Sequence, residues 1–262
     1  RGGAMLMLII SLGFNFVTYW FSDSIVLKMY DAREVDGNSA PELYGLVERL
    51  AANAELPMPR VYIVNSGAPN AFATGRNPSH AAVAVTTGLM NTLDYEEIGG
   101  VLAHELSHVK HRDTLISCVA AAMAGVISTI ANIAQWAAIF GVGRSDDDDN
   151  GGFLGMIVTI VIAPIAAALI QMAISRSREY DADKAGGQIC GNPNALANAL
   201  EKIEYYSLHG PTLANSTTST AHMCIINPLA GSKQTFINLF STHPPTQERI
   251  ARLRQQALAM GK

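Results

Sequence analysis

Three long stretches of the chain contain no Asp, Glu, Lys or Arg: Gly2 to Ser22, Thr114 to Gly143 and Asn150 to Ser175. Each reaches the roughly 20 apolar residues a helix needs to cross a hydrocarbon core, so the pattern predicts three membrane segments. Two buried core helices are the competing prediction for the latter pair, and Pro164 and Gln171 inside the third stretch favour it.

The intervening polar regions carry shorter periodicities. Leu43, Leu46, Val47 and Leu50 recur at helical spacing in SAPELYGLVERLAANA, which predicts a helix over about 40–54 with Ser39 as cap and Pro41 in its first turn. RVYIVN (60–65), AFAT (71–74) and AAVAVT (81–86) are β-prone or apolar runs separated by SGAPN and GRNPSH, and predict a small sheet. Asp94 and Glu97 have capping-box spacing ahead of a helix with Ile98, Leu102, Leu106 and Val109 on its apolar side. Beyond the third stretch, SRSREYDADKAGG predicts a helix stopping at Gly186 and Gly187, and a second helix starts at Pro193. The segment from Pro211 to Thr235 lacks periodicity and reads as loop or lid. Pro244 and Pro245 precede a final basic amphipathic helix. The pattern is mainly α with a small β-sheet, an α+β chain, with no internal repeat. It divides into 1–22, a membrane segment; 23–113, a polar region; 114–174, a membrane hairpin; and 175–262, a second polar region.

Composition sharpens this picture. The 262 residues are 49% hydrophobic and 15% charged, against about 25% charged in soluble domains, which points to a membrane. A net charge of -4 without a basic run excludes a nucleic-acid partner. Cys118, Cys190 and Cys224 are odd in number and far apart, which suits reduced thiols. The opening RGGAML has neither an initiator Met nor a signal peptide, so a truncated start is expected. If all three stretches span, Lys28, Arg33, Lys110, Arg112, Arg176 and Arg178 share one side. Arg1 and the acidic Asp146 to Asp149 loop lie on the other, and the positive-inside rule makes the basic side cytoplasmic.

The chemistry sits in AHELSHVKHRD, Ala103 to Asp113. With seven His in the chain, an HExxH is expected by chance only about 0.008 times. Positions i and i+4 share a helix face, so His104 and His108 can aim at one ion while Glu105 faces a water on it. A catalytic zinc needs a third protein ligand. His111 lies about 10 Å along the helix from His104, too far to share the ion. The metzincin pattern fails, because it needs Gly at 111 and His at 114 where the chain has His111 and Thr114. Glu179, at the exit of the third stretch, is the best candidate, with an exposed acid among arginines as the alternative. Asp183, four residues on, is placed to accept a hydrogen bond from a ligand histidine.

AHELSHVKHRD, a hydrophobic pair, SRSREYDADKAG and STHPPTQERI together resemble the HtpX-type membrane zinc metalloproteases, relatives of the CAAX prenyl proteases, over essentially the whole chain. The resemblance implies a zincin-like protease domain interrupted by a transmembrane hairpin, with one zinc per chain held by His104, His108 and Glu179. It also implies that Asn70, Ala71 and Phe72 belong to the edge strand over which substrate lies, and that His243 lines the cleft. The resemblance also implies a further hydrophobic helix upstream of Arg1, in keeping with the expected truncated start.

The expected activity is metal-assisted peptide hydrolysis, with Glu105 taking the proton of the attacking water and His243 as a second donor to the oxyanion. An edge strand binds peptides through main-chain bonds and tolerates many sequences, which suits quality control of misfolded or damaged membrane proteins at the cytoplasmic face of the inner membrane. The partners are then protein substrates and the lipid bilayer. A CAAX-type processing protease needs an enclosed chamber that few spans do not build. A non-catalytic metal-binding scaffold has no use for Glu105, and a transporter needs ionisable groups inside the spans.

Overall fold

The computed structural model describes residues 2–117, 119–120, 123, 163–209 and 244–262. Four strands, β1 (Arg33–Val35), β2 (Arg60–Val64), β3 (Ala71–Thr74) and β4 (Ala82–Thr86), form one mixed sheet in the order β1-β2-β4-β3. β1 runs antiparallel to β2, β2 parallel to β4, and β3 antiparallel to β4, with Phe72 opposite Ala84. Alternation along the strands divides the sheet between two cores. Ala71, Val61, Val83 and Val85 face the main one. Phe72, Tyr62, Val64, Ala82 and Ala84 face a smaller cluster with Leu27 and Tyr30. Covered on both faces, β4 reads in sequence as a continuous apolar run. The three predicted runs are β2, β3 and β4; β1 escaped notice because REV is short and two of its three residues are charged and exposed.

The described helices are α1 (Gly2–Trp20), α2 (Ser22–Met29), α3 (Pro41–Asn53), α4 (Thr87–Thr92), α5 (Tyr95–His111), α6 (Ala163–Cys190), α7 (Pro193–His209) and α8 (Thr246–Ala259). α5 is the centre of the fold, packed by α6, α7 and α3 and lying against β3 and β4. Leu102 and Leu106 are fully enclosed, and each such burial contributes about 1.5–3 kcal/mol. Asp94 and Glu97 complete a reciprocal capping box, each side chain accepting from the other's backbone N–H at 2.9 Å. α5 therefore starts at a fixed point, which sets the height of everything it carries.

Two boundaries differ from the sequence expectation. Ser39 does not cap α3: its hydroxyl donates to Asp36 Oδ1 at 2.7 Å in the preceding loop, and Ala40 stands at the N-cap before Pro41. α6 does not stop at Gly186 and Gly187 but runs to Cys190, before Gly191 at φ +72°. Gly186 serves close packing instead of termination: a Cβ there would lie 2.9 Å from both Cα and N of His104. The crossing of α6 over α5 outweighs the 0.5–1 kcal/mol or so that glycine costs inside a helix.

α1 turns a broad apolar surface outward, with Phe14 72% and Phe16 61% exposed. At its end the Tyr19 hydroxyl donates to the Arg76 carbonyl at 2.6 Å, and the Arg76 guanidinium lies over the Trp20 ring at 4.5 Å, so α1 is tied to the β3–β4 connection. Among the described residues no helix is long and apolar enough to cross a membrane. Most of the second and third uncharged stretches, the Asp146 to Asp149 loop, the 211–235 segment, Cys118, Cys224 and His243 lie outside the described residues.

Candidate active site

Helical spacing puts His104 and His108 on one face of α5, and the α5–α6 crossing at Gly186 brings Glu179 to them. The His104 and His108 Nε2 atoms are 3.1 Å apart, with the rings nearly perpendicular at 88°. Glu179 Oε2 lies 3.6 Å from His104 Nε2, and Glu179 Oε1 lies 3.6 Å from His108 Nε2. Neighbouring ligands of a tetrahedral ion with bonds of 2.0–2.1 Å stand about 3.3 Å apart, so the three separations bracket the edge of such a site. Among the described residues these three are the one group of His, Cys, Asp and Glu side chains close enough to hold a metal ion. His111 takes no part.

Behind each imidazole stands a carboxylate, and behind each carboxylate an arginine. His108 Nδ1 meets Asp113 Oδ2 at 2.6 Å, and Asp113 Oδ1 accepts from Arg178 Nε at 2.6 Å. His104 Nδ1 lies 3.0 Å from Asp183 Oδ1, off the ring N–H axis, and Arg249 grips Asp183 with Nε and Nη2 at 2.8 Å each. Arg249 Nη1 also reaches Glu179 Oε2 at 3.4 Å. A carboxylate on each Nδ1 favours the tautomer with its proton there, which turns both Nε2 lone pairs toward the same point. Two Nε2 atoms 3.1 Å apart can share a proton, as they do when His108 is charged, or a metal ion. Counted with both imidazoles neutral, as metal ligands must be, four carboxylates (Glu105, Glu179, Asp183, Asp113) against two guanidiniums (Arg178, Arg249) leave a charge of -2, equal and opposite to that of a divalent ion.

The titration of these groups reports the same field. Burial disfavours a charged His108, but the Asp113 hydrogen bond and the Glu179 and Glu105 charges outweigh it and raise its pKa to about 9. The pull that retains a proton there acts on any cation. Burial likewise opposes the Asp183 carboxylate, and Arg249 overcomes it, holding Asp183 below the usual range. Burial pushes the Glu105 carboxyl up, against the lowering effect of both histidines. Glu105 Oε2 accepts from the Ala73 N–H at 2.9 Å, so the strand at the end of the sheet and the HExxH helix meet at this carboxylate.

Asn70, Ala71 and Phe72 lie on that strand or just before it. The Asn70 N–H donates to Thr86 Oγ1 at 2.9 Å and its carbonyl accepts from the Thr86 N–H at 2.9 Å, while the Phe72 ring is committed to the smaller core, 5.3 Å from the Tyr30 ring. Sequence reasoning missed Asp113 and Arg249 and assigned Arg178 to a membrane flank. Arg249 had a visible signal: it falls on the same helical face as Thr246, Ile250, Leu253 and Ala257, all buried, and a charge on an apolar stripe needs an internal partner.

An HExxH helix beneath an edge strand, with two imidazoles and a carboxylate converging beside a buried glutamate, is the constellation of a metal-dependent hydrolase. The model of peptidase family M48 matches residues 38–257. A protease HtpX homolog of Desulfatibacillum aliphaticivorans is 58% identical over 254 residues, 97% of this chain and 81% of that one. A protease HtpX homolog of Pyrococcus furiosus is 53% identical over 261 residues, 100% of this chain and 89% of that one. Among solved structures, S. mikatae Ste24p shares the fold at a TM-score of 0.61 and 18% identity; the match covers 95% of this chain and 58% of that one. The chain belongs to peptidase family M48, and with it to the metalloproteases. The resemblance read from its motifs was to this family.

Proposed function

We propose that the protein is a membrane-embedded zinc endopeptidase that cleaves misfolded or damaged membrane proteins at the cytoplasmic face, with His104, His108 and Glu179 as ligands to one ion. The observation that carries this reading is the convergence of two Nε2 atoms and one carboxylate at separations of 3.1, 3.6 and 3.6 Å, a nitrogen and oxygen donor set that suits zinc. A metal bound there supplies Lewis-acid polarisation of the scissile carbonyl and acidifies the attacking water. Glu105 takes the proton of that water and passes it to the leaving amine, with its Oε2 steadied by the Ala73 N–H. Asp183 orients His104 from its Nδ1 side. Substrate lies along Asn70, Ala71 and Phe72 as an added strand, held by main-chain bonds. His243, in the STHPP motif that carries the family resemblance, donates to the tetrahedral oxyanion.

The membrane part of the proposal rests on the three uncharged stretches and on the exposed apolar surface of α1. In it, residues 1–22 and the 114–174 hairpin enter the bilayer, and 23–113 and 175–262 form the protease on the cytoplasmic side. A cysteine replacing Asp148 is expected to react with an impermeant reagent added to intact cells, and one replacing Arg254 to remain unlabelled; the reverse pattern sinks the orientation.

Catalysis is tested through the ligand set. Chelator should abolish casein cleavage and zinc restore it. Glu179→Ala should lose both metal and activity, because two imidazoles alone hold zinc poorly. A zinc-replete, active Glu179→Ala protein would transfer the third ligand to another residue.

A further inference from the structure

The division of Asp113 between two partners gives Arg178 a task. Its Oδ2 faces His108 Nδ1 at 2.6 Å, while its Oδ1 accepts from both Nε and Nη2 of Arg178. Two local features create the arrangement. Arg112 ends α5 in the left-handed region at φ 56°, which turns the chain so that Asp113 comes back to the histidine five residues earlier. Arg178 directly precedes Glu179 on α6, so one turn of helix delivers a carboxylate to the Nε2 side of the histidines and a guanidinium to the carboxylate on the Nδ1 side. Arg178 is thus the partner of Asp113 on the side away from His108.

We infer that Arg178 is a positioning residue of the metal site: it fixes Asp113 so that this carboxylate orients the His108 ring and keeps the Nδ1 proton in place, leaving Nε2 to face the ion. The inference rests on His108 being a metal ligand. It mirrors the Arg249, Asp183 and His104 arm but differs in setting. The Arg249 and Asp183 side chains are 1% and 4% exposed, whereas those of Arg178 and Asp113 are 23% and 11%. The outer arm can therefore be altered without opening the core, which makes it the testable one. The competing role for Arg178 is a plain tie between α6 and the end of α5, and a partly exposed ion pair of that kind contributes only about 0–1 kcal/mol. Such a tie would leave metal affinity alone.

The test measures zinc dissociation constants on the full chain by competition with a chromophoric chelator, together with the visible spectrum of the cobalt-substituted protein and the thermal midpoint of the metal-free form. Arg178→Gln is expected to weaken zinc binding about 10- to 100-fold, the usual cost of losing a group that orients a ligand, with the metal-free midpoint near that of the wild type. It should also alter the cobalt spectrum. Asp113→Asn should weaken binding at least as much, and Arg178→Lys should recover part of the loss. Because Arg178 acts through Asp113, adding Arg178→Gln to Asp113→Asn should cost nothing further. Wild-type affinity and spectrum in Arg178→Gln, or additive losses in the double variant, overturn the inference. Should Arg178→Gln fail to fold, Asp113→Asn and Arg178→Lys carry the same comparison: wild-type zinc affinity in Asp113→Asn overturns it. His108→Ala separates the two levels, since undiminished zinc binding in that variant would instead remove the ligand assignment on which this rests.

Discussion

Glu105→Gln is expected to keep its metal and lose its activity, with kcat for casein or peptide cleavage falling about 100- to 10,000-fold or more. The side chain is buried, and its one described hydrogen bond, from the Ala73 N–H at 2.9 Å, ends on an oxygen that glutamine also has. Packing and the junction between the helix and the edge strand therefore survive. What disappears is the base. Glu105 is not among the converging donors, so metal analysis should return the wild-type content. The loss should fall on kcat, because an amide neither accepts the proton of the water nor returns it to the leaving amine. Wild-type turnover in a metal-loaded Glu105→Gln protein would refute the assigned mechanism. A correctly folded, zinc-loaded wild type without activity would favour a metal-binding scaffold.

How much of this was legible in the sequence depends on the range of the interaction. The HExxH spacing, the Asp94 and Glu97 capping box and the apolar runs of β2, β3 and β4 are local patterns, in which helical and strand periods act directly on neighbouring residues. The α+β character followed from them. Interactions between distant segments were less visible. Ser39 is a local exception: it has the residue type of a cap, but its hydroxyl donates to Asp36, three residues earlier. Gly186 and Gly187 look like a helix stop until α5 is seen pressed against Gly186, while a Cβ at Gly187 would meet Gln256 and Pro193. Arg178 carries the charge expected of a membrane flank, and its pairing with Asp113 joins residues 65 apart in sequence. Glu179 was nominated from its place after the third stretch and from the family motifs; the crossing of α5 and α6 supplies the physical reason it stands beside the histidines.

The largest structural effect is expected at Arg249. Its side chain is 1% exposed, gives Asp183 two hydrogen bonds of 2.8 Å, and lies 3.4 Å from Glu179. Arg249→Ala leaves two buried carboxylates facing each other across the emptied space, with His104 and His108 the nearest groups able to offset them. Breaking a buried pair by removing one partner costs about 3–5 kcal/mol, a large part of the 5–15 kcal/mol that typically separates folded from unfolded protein. At about 2–4 °C per kcal/mol for a chain of this size, the melting temperature should fall by roughly 6–20 °C. A bound divalent ion replaces some of the missing positive charge, so the deficit should be larger in chelator than in excess zinc. Arg249→Lys should fall between, because an ammonium keeps the charge but cannot span both oxygens of Asp183 while reaching Glu179. Melting curves of the three proteins with and without chelator provide the test. If Arg249→Ala melts with the wild type in chelator, the guanidinium does not hold these carboxylates together, and the -2 charge attributed to the site must be balanced by another group.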